Sequence, residues 1–183
     1  MDAHELGEDL TEVLLTEADL KARLAEMARE IEADYPERPP LLVGVLKGAV
    51  MVMADLSREL RFQAQMDWMA VSSYGAGTKS SGVVRILKDL DADLTGRDVL
   101  IVEDVIDSGL TLSWLKGNLA SRGARSVEIC TMLRKPEALK VEVDVKYIGF
   151  DIPNEFVVGY GLDYAEDYRN LRDVAILAPH VYN

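Results

Sequence analysis

Glu103 and Asp104 follow the apolar run Val99-Leu100-Ile101-Val102, and Val105-Ile106 separates them from Asp107-Ser108-Gly109-Leu110-Thr111. An apolar strand that delivers two carboxylates and then opens a helix has the parts of a phosphate site. Ser108 and Thr111 offer hydroxyls, Gly109 allows close backbone approach, and amides at a helix start point outward toward an anion. Carboxylates beside a phosphate would repel it. The conflict disappears if Glu103 and Asp104 face ribose hydroxyls or a Mg²⁺ ion, which prefers oxygen ligands and keeps several waters. Taken alone, two acids before a helix also describe an ordinary capped helix start; the whole pattern describes a site for a sugar phosphate with a metal.

Other chemistries lack their parts. The only histidines, His4 and His180, lie near the two ends, which speaks against a histidine-based triad or a zinc site. The single cysteine, Cys130, sits in the apolar run 126–133 and reads as a buried strand residue in a reducing cytoplasm. With 183 residues, 49% of them hydrophobic and 28% charged, the chain has the makings of one domain with a real core. Its net charge of −12 disfavours nucleic acid as a partner, because such binding needs Lys and Arg to neutralise phosphates. A small anionic substrate would need local amides, a few placed cations or a metal. No apolar run approaches the roughly 20 residues of a spanning helix, so no membrane partner is expected. The acidic start, residues 1–13, lacks a basic-then-apolar signal pattern, and a cytoplasmic location is expected. Residues 75–82 do not fit the spacing of a P-loop, and Gly75-Ala76-Gly77 is not a full dinucleotide fingerprint.

The chemical residues need elements to hold them. Thr16 with Asp19 caps a helix on which Leu20, Leu24, Met27 and Ile31 recur at helical spacing, and Tyr35-Pro36 and Pro39-Pro40 end it. Residues 41–46 read as a buried strand, and Gly48 opens a helix over 49–60. Met51, Val52, Met53 and Leu56 lie on more than one face of that helix, which could pack within the domain or at a subunit interface. Residues 65–70 alternate as a second strand; 72–82 is a glycine-rich loop; 83–90 is a further strand. Residues 99–102 form the clearest buried strand, and 110–123 a helix that ends at Gly123. Residues 126–133, 145–150 and 174–177 are further strands. Without a linker or repeat, 1–183 reads as a single α/β domain, a mainly parallel twisted sheet flanked by helices. Ligands bind beyond the carboxyl ends of such strands, where Leu46-Lys47-Gly48 and Glu103-Asp104 stand.

The segment 99–112 resembles the donor-binding signature of type I phosphoribosyltransferases. Leu46-Lys47-Gly48, Ser72-Ser73-Tyr74-Gly75, Lys146 and the block 156–171 extend the likeness to the hypoxanthine-guanine phosphoribosyltransferase branch. The resemblance implies a type I fold with a small hood formed by the terminal segments. It also implies Mg²⁺-dependent conversion of hypoxanthine, and of guanine, with 5-phosphoribosyl 1-pyrophosphate to IMP or GMP plus pyrophosphate. Asp107 through Thr111, including Ser108, Gly109 and Leu110, would hold the donor 5′-phosphate. Glu103 and Asp104 would face the ribose hydroxyls directly or through the metal, and Asp163 would sit near a second metal. Lys47, Gly48 and Arg169 would bind pyrophosphate, with a cis peptide at Leu46-Lys47. Phe156 would stack on the purine, Val157 would offer backbone groups to its edge, and Lys146 would donate to the 6-oxo group. Asp107 would accept or stabilise the N7 proton.

Water competes with the base as nucleophile, so the site should close, and 72–82 would serve as a lid with contacts at Ser73 and Tyr74. The same loop could be a long hairpin connection. Lys146 could be a strand-edge charge, Phe156 a core residue, and Asp163 with Arg169 a surface pair. Leu110 stands where some relatives carry a polar or basic side chain, so any side-chain contact there is lost while the amide remains. The family implies small-molecule substrates and a homodimer or homotetramer. A regulator of the same fold that binds nucleic acid would share the donor signature but would need a basic face, against 20 Lys+Arg and 32 Asp+Glu.

Overall fold

In the computed structural model the described residues are 1–74 and 83–183, the side chains of 73, 74 and 83 excepted. Of the lid reading over 72–82, residues 75–82 and the side-chain contacts assigned to Ser73 and Tyr74 lie outside the described residues, while 72–74 are strand. A 3₁₀ segment, Ala3–Asp9, leads into β1 (Leu10–Leu15) and α1 (Glu17–Asp34). Then come β2 (Leu41–Leu46), α2 (Val50–Glu59), β3 (Gln65–Tyr74), β4 (Val83–Lys88), β5 (Asp98–Ile106) and α3 (Leu110–Ala120). The chain finishes with β6 (Ser126–Arg134), β7 (Tyr147–Asp151), β8 (Val157–Val158), β9 (Val174–Leu177) and α4 (Pro179–Tyr182).

The main sheet has the order β4-β3-β2-β5-β6-β7. β3, β2, β5, β6 and β7 run parallel, and β4 closes one edge antiparallel to β3. Helices cover both faces, which is why β2 and β5 read as continuous apolar runs rather than alternating ones. Leu100 and Val102 of β5 pack with Leu24 and Met27 of α1 and Met53 of α2. Val99 and Ile101 point the other way, onto Leu112, Leu115 and Leu119 of α3. α1 starts as its sequence requires: the Thr16 amide donates to Asp19 Oδ2 at 2.9 Å and the Asp19 amide returns to Thr16 Oγ1 at 3.2 Å. Its spaced apolar residues Leu20, Leu24, Met27 and Ile31 are all buried.

Beyond shifts of one or two residues, three boundaries differ from the sequence reading. β3 runs on past Ala70 to Tyr74, where β4 pairs with it. β5 does not stop at Val102 but continues through both acids to Ile106. It does so because β6 stays paired with it as far as Ile106↔Arg134, whereas β2 leaves it after Gly44↔Val102. Pairing to a neighbour overrides the poor strand propensity of Glu and Asp. α3 ends at Ala120, and Gly123, at φ 84, lies in the turn beyond it. A second sheet, β1-β9-β8, is antiparallel and joins the N-terminal strand to two C-terminal ones. It is the hood; the strand read at 174–177 belongs to it rather than to the main sheet. Among the described residues no helix is long and apolar enough to cross a membrane.

Candidate active site

From β2 the chain builds the sheet outward through β3 and β4, then returns to the other side of β2 with β5 and continues through β6 and β7. The carboxyl ends of β2 and β5 therefore flank a topological switch point, where open α/β sheets leave a crevice. A cavity of about 400 Å³ occupies it. Lys47 and Gly48 enter from the end of β2; Glu103, Asp104 and Asp107 enter from β5 and the turn after it. Phe156 and Val157 line it from the start of the hood's β8, and Asp163 and Arg169 from the segment before β9. An adjoining pocket of about 150 Å³ shares Glu103 and Asp107 and is lined by Ser108, Gly109 and Thr111. The two cavities bring together every site residue inferred from the sequence except Leu110, Lys146 and the lid pair. Leu110 offers its amide, 3.4 Å from Ser108 Oγ, while its side chain lines neither cavity.

Close backbone approach builds this geometry. The Leu46-Lys47 peptide is cis. A Cβ at Gly48 would land on the Asp104 carboxylate, and one at Gly161 would land on the Gly48 carbonyl. Only glycines let the β2 turn nest between β5 and the hood. Gly109 precedes α3 with φ 78, and a side chain there would also meet Val143 at 2.9 Å. The first intrahelical bond is Ser113 N–H to Gly109 O at 2.9 Å, so the amides of the first turn have no acceptor within the helix. They are the donors that an anion in the smaller pocket would meet, with the positive end of the helix dipole behind them.

Burial pushes the Glu103 carboxyl well above the usual carboxylate range, and the neighbouring charge of Asp104 adds to it. Asp104 is also raised by burial, against the pull of its bond from the Val105 amide at 2.7 Å and the field of Arg169. Two desolvated acids side by side disfavour their own ionisation, and a cation or ribose hydroxyls at their tips would relieve this. Arg169 donates from Nη1 to Gly161 O at 2.8 Å and pairs through Nη2 with Asp163 at 3.2 Å and Glu166 at 3.1 Å. Its Nε is buried with no hydrogen-bond partner among the described residues.

Lys146 is a correction. It precedes β7 and thus lies at the amino edge of the sheet, away from the crevice. Its ammonium is 3.7 Å from Asp34 and 5.3 Å from the ring centroid of Tyr35, and it lines neither cavity. Besides Lys47, the cavity holds a second lysine, Lys135, which follows β6 at the carboxyl edge. Lys135 is 8% exposed, and its Nζ donates to Asp107 Oδ2 at 3.4 Å. The positional rule that marked Lys47 would have marked Lys135 had β6 been carried to Arg134. Tyr182 and Glu166 were also missed. Tyr182 stacks on Phe156 with centroids 5.0 Å apart and planes at 22°, and no sequence pattern links the two.

A crevice at the switch point, a phosphate-ready helix start and a hood define the phosphoribosyltransferase class. The family model described as "Phosphoribosyl transferase domain" matches residues 11–165. The hypoxanthine-guanine phosphoribosyltransferase of Mycobacterium tuberculosis (strain ATCC 25618 / H37Rv) is 57% identical over 180 residues, covering 95% of this chain and 89% of that protein. The enzyme of the same name from Bacillus subtilis (strain 168) is 48% identical, covering 95% and 97%. The crystal structure of a hypoxanthine phosphoribosyltransferase from Staphylococcus aureus superposes with a TM-score of 0.94 at 45% identity, over 98% of this chain and 97% of that one. The chain belongs to the hypoxanthine-guanine phosphoribosyltransferase family.

Proposed function

We propose that the protein transfers the phosphoribosyl group of 5-phosphoribosyl 1-pyrophosphate to hypoxanthine and guanine, giving IMP or GMP and pyrophosphate. The observation that carries the 6-oxopurine half is Lys135. A buried ammonium has donors only, and Asp107, its partner, is itself half-exposed in the cavity wall. An acceptor in the cavity would complete its hydrogen bonding. The 6-oxo group of hypoxanthine or guanine is such an acceptor, whereas adenine presents an amino group there. Phe156, 39% exposed and backed by Tyr182, is a platform for the purine ring.

In the reaction the N9–C1′ bond forms as the C1′–O bond breaks, and the electron pair leaves with pyrophosphate. Asp107 holds or accepts the N7 proton of the base as positive charge builds on it. The amides and hydroxyls of residues 108–111 anchor the 5′-phosphate and keep C1′ in line. Lys47, the Gly48 amide and Arg169 neutralise the departing pyrophosphate. Glu103 and Asp104 fit Mg²⁺ as oxygen donors whose burial calls for a cation, and Asp163 is an oxygen donor for a second ion. Bound Mg²⁺ would supply charge neutralisation for the departing pyrophosphate.

A cytoplasmic location and a homodimer or homotetramer belong to the same reading. A panel of hypoxanthine, guanine, xanthine, adenine and uracil with donor and Mg²⁺ tests it. Turnover confined to 6-oxopurines and abolished by chelator is expected. Tight, salt-dependent RNA binding without purine turnover would overturn it.

A further inference from the structure

Lys47 and Arg169 arrive in the cavity from distant parts of the chain, and one carboxylate holds both. Glu166 Oε2 lies 2.8 Å from Lys47 Nζ, and Glu166 Oε1 lies 3.1 Å from Arg169 Nη2. The backbone beneath Glu166 is unusual for its side chain. Tyr164 and Asp167 close a two-residue turn by mutual amide-to-carbonyl bonds of 3.2 and 2.9 Å, and its two central residues have φ 51 at Ala165 and φ 72 at Glu166. Turns with two positive φ values favour glycine or asparagine. The chain instead carries a glutamate, steadied by its amide bond to Asp163 Oδ2 at 2.9 Å, with its carboxylate directed at the two cations. A residue that breaks the local rule while reaching into a site points to a role in that site.

We propose that Glu166 is an internal stand-in for pyrophosphate, holding Lys47 and Arg169 together in the empty site and yielding them to the donor. The proposal rests on the reading of those two cations as pyrophosphate ligands. Lys47 and Glu166 are largely exposed, with side chains 66% and 63% accessible, so their pairing is weak and readily displaced. Pyrophosphate brings more charge and more oxygens than one carboxylate and displaces it. When pyrophosphate leaves as product, Glu166 reclaims both cations, which opposes rebinding. Glu166 is thus a positioning residue that sets the affinity of the donor side without touching the base.

Wild-type protein and Glu166→Gln are titrated with inorganic pyrophosphate in Mg²⁺ buffer, and the KM values of donor and base are measured in parallel. Glutamine keeps the size and removes the charge. Loss of the two competing pairs, with Lys47 and with Arg169, should tighten pyrophosphate and lower donor KM by about two- to tenfold, with base KM unchanged. Equal or weaker pyrophosphate binding by Glu166→Gln overturns the proposal, since a glutamate that only shaped its turn would be replaced by glutamine without gain. Lys47→Ala separates the layers. Unchanged pyrophosphate binding in Lys47→Ala removes the assignment of that cation and the proposal with it. Weakened binding in Lys47→Ala without tightening in Glu166→Gln removes the proposal alone.

Discussion

Lys135 closes β6 and Lys146 opens β7, so two lysines of one connection sit at opposite edges of a parallel sheet. Only the carboxyl edge faces the crevice, and this decides which lysine can read a base. Lys135→Ala should raise the KM for hypoxanthine by about 10- to 100-fold, the range for a hydrogen bond from a charged donor. Lys146→Ala should leave that KM unchanged and remove one exposed pair with Asp34, an effect of about 0–1 kcal/mol on unfolding. Steady-state kinetics and urea denaturation of the two variants check both statements. Asp107 lines both cavities and is the proposed proton acceptor. Asp107→Asn keeps the shape and removes the proton acceptor, so kcat should fall by about 100-fold or more while base KM changes little. A kcat equal to wild type would remove Asp107 as the acceptor.

The elements meet where side chains are absent. Gly48 and Gly161 let the β2 turn lie between Asp104 and the hood, so three separate stretches of chain share one close contact. Gly48→Ala drives a methyl into the Asp104 carboxylate, and the turn or the acid must move. A shift of about 1 Å at a catalytic constellation costs on the order of 100-fold. Gly48→Ala should therefore lose about that much kcat/KM for the donor, with a far-ultraviolet circular dichroism spectrum like wild type. Gly48 was legible in the sequence as the residue that opens a helix just beyond a strand's carboxyl end. Its closeness to Asp104 was not, because nothing in the local pattern of either stretch encodes how far β5 projects past β2.

Across the whole molecule, the core joins both helix layers to the sheet, and Cys130, on β6, lies fully buried in the cluster that includes the apolar face of α1. Burial pushes its thiol up to about 12, against an ordinary value of 9.0. Thiolate is the reactive form, so native protein at pH 8 should not react with a thiol-disulfide reagent, whereas unfolded protein should react at once. The sign for stability follows. The unfolded thiol ionises first, so this group contributes a loss of stability as pH rises from about 9 toward 12. Rapid labelling of the folded protein at pH 8 would contradict the buried position.

The sequence by itself determined the strands of the main sheet and the three longer helices, though not β1 or β8 of the hood, together with the turn 107–111, the paired acids and the positions beyond β2. These are local: apolar runs, capping pairs and glycine spacing depend on neighbours a few residues away. Tertiary structure decided that β5 runs through its acids, because β6 continues to pair with them. It decided that 174–177 builds a hood with 10–15 rather than joining the main sheet, and that Tyr182 backs Phe156. It also decided that Lys135, not Lys146, faces the cavity. Each of these depends on which edge of a sheet a residue occupies, and edges exist only once distant strands have paired.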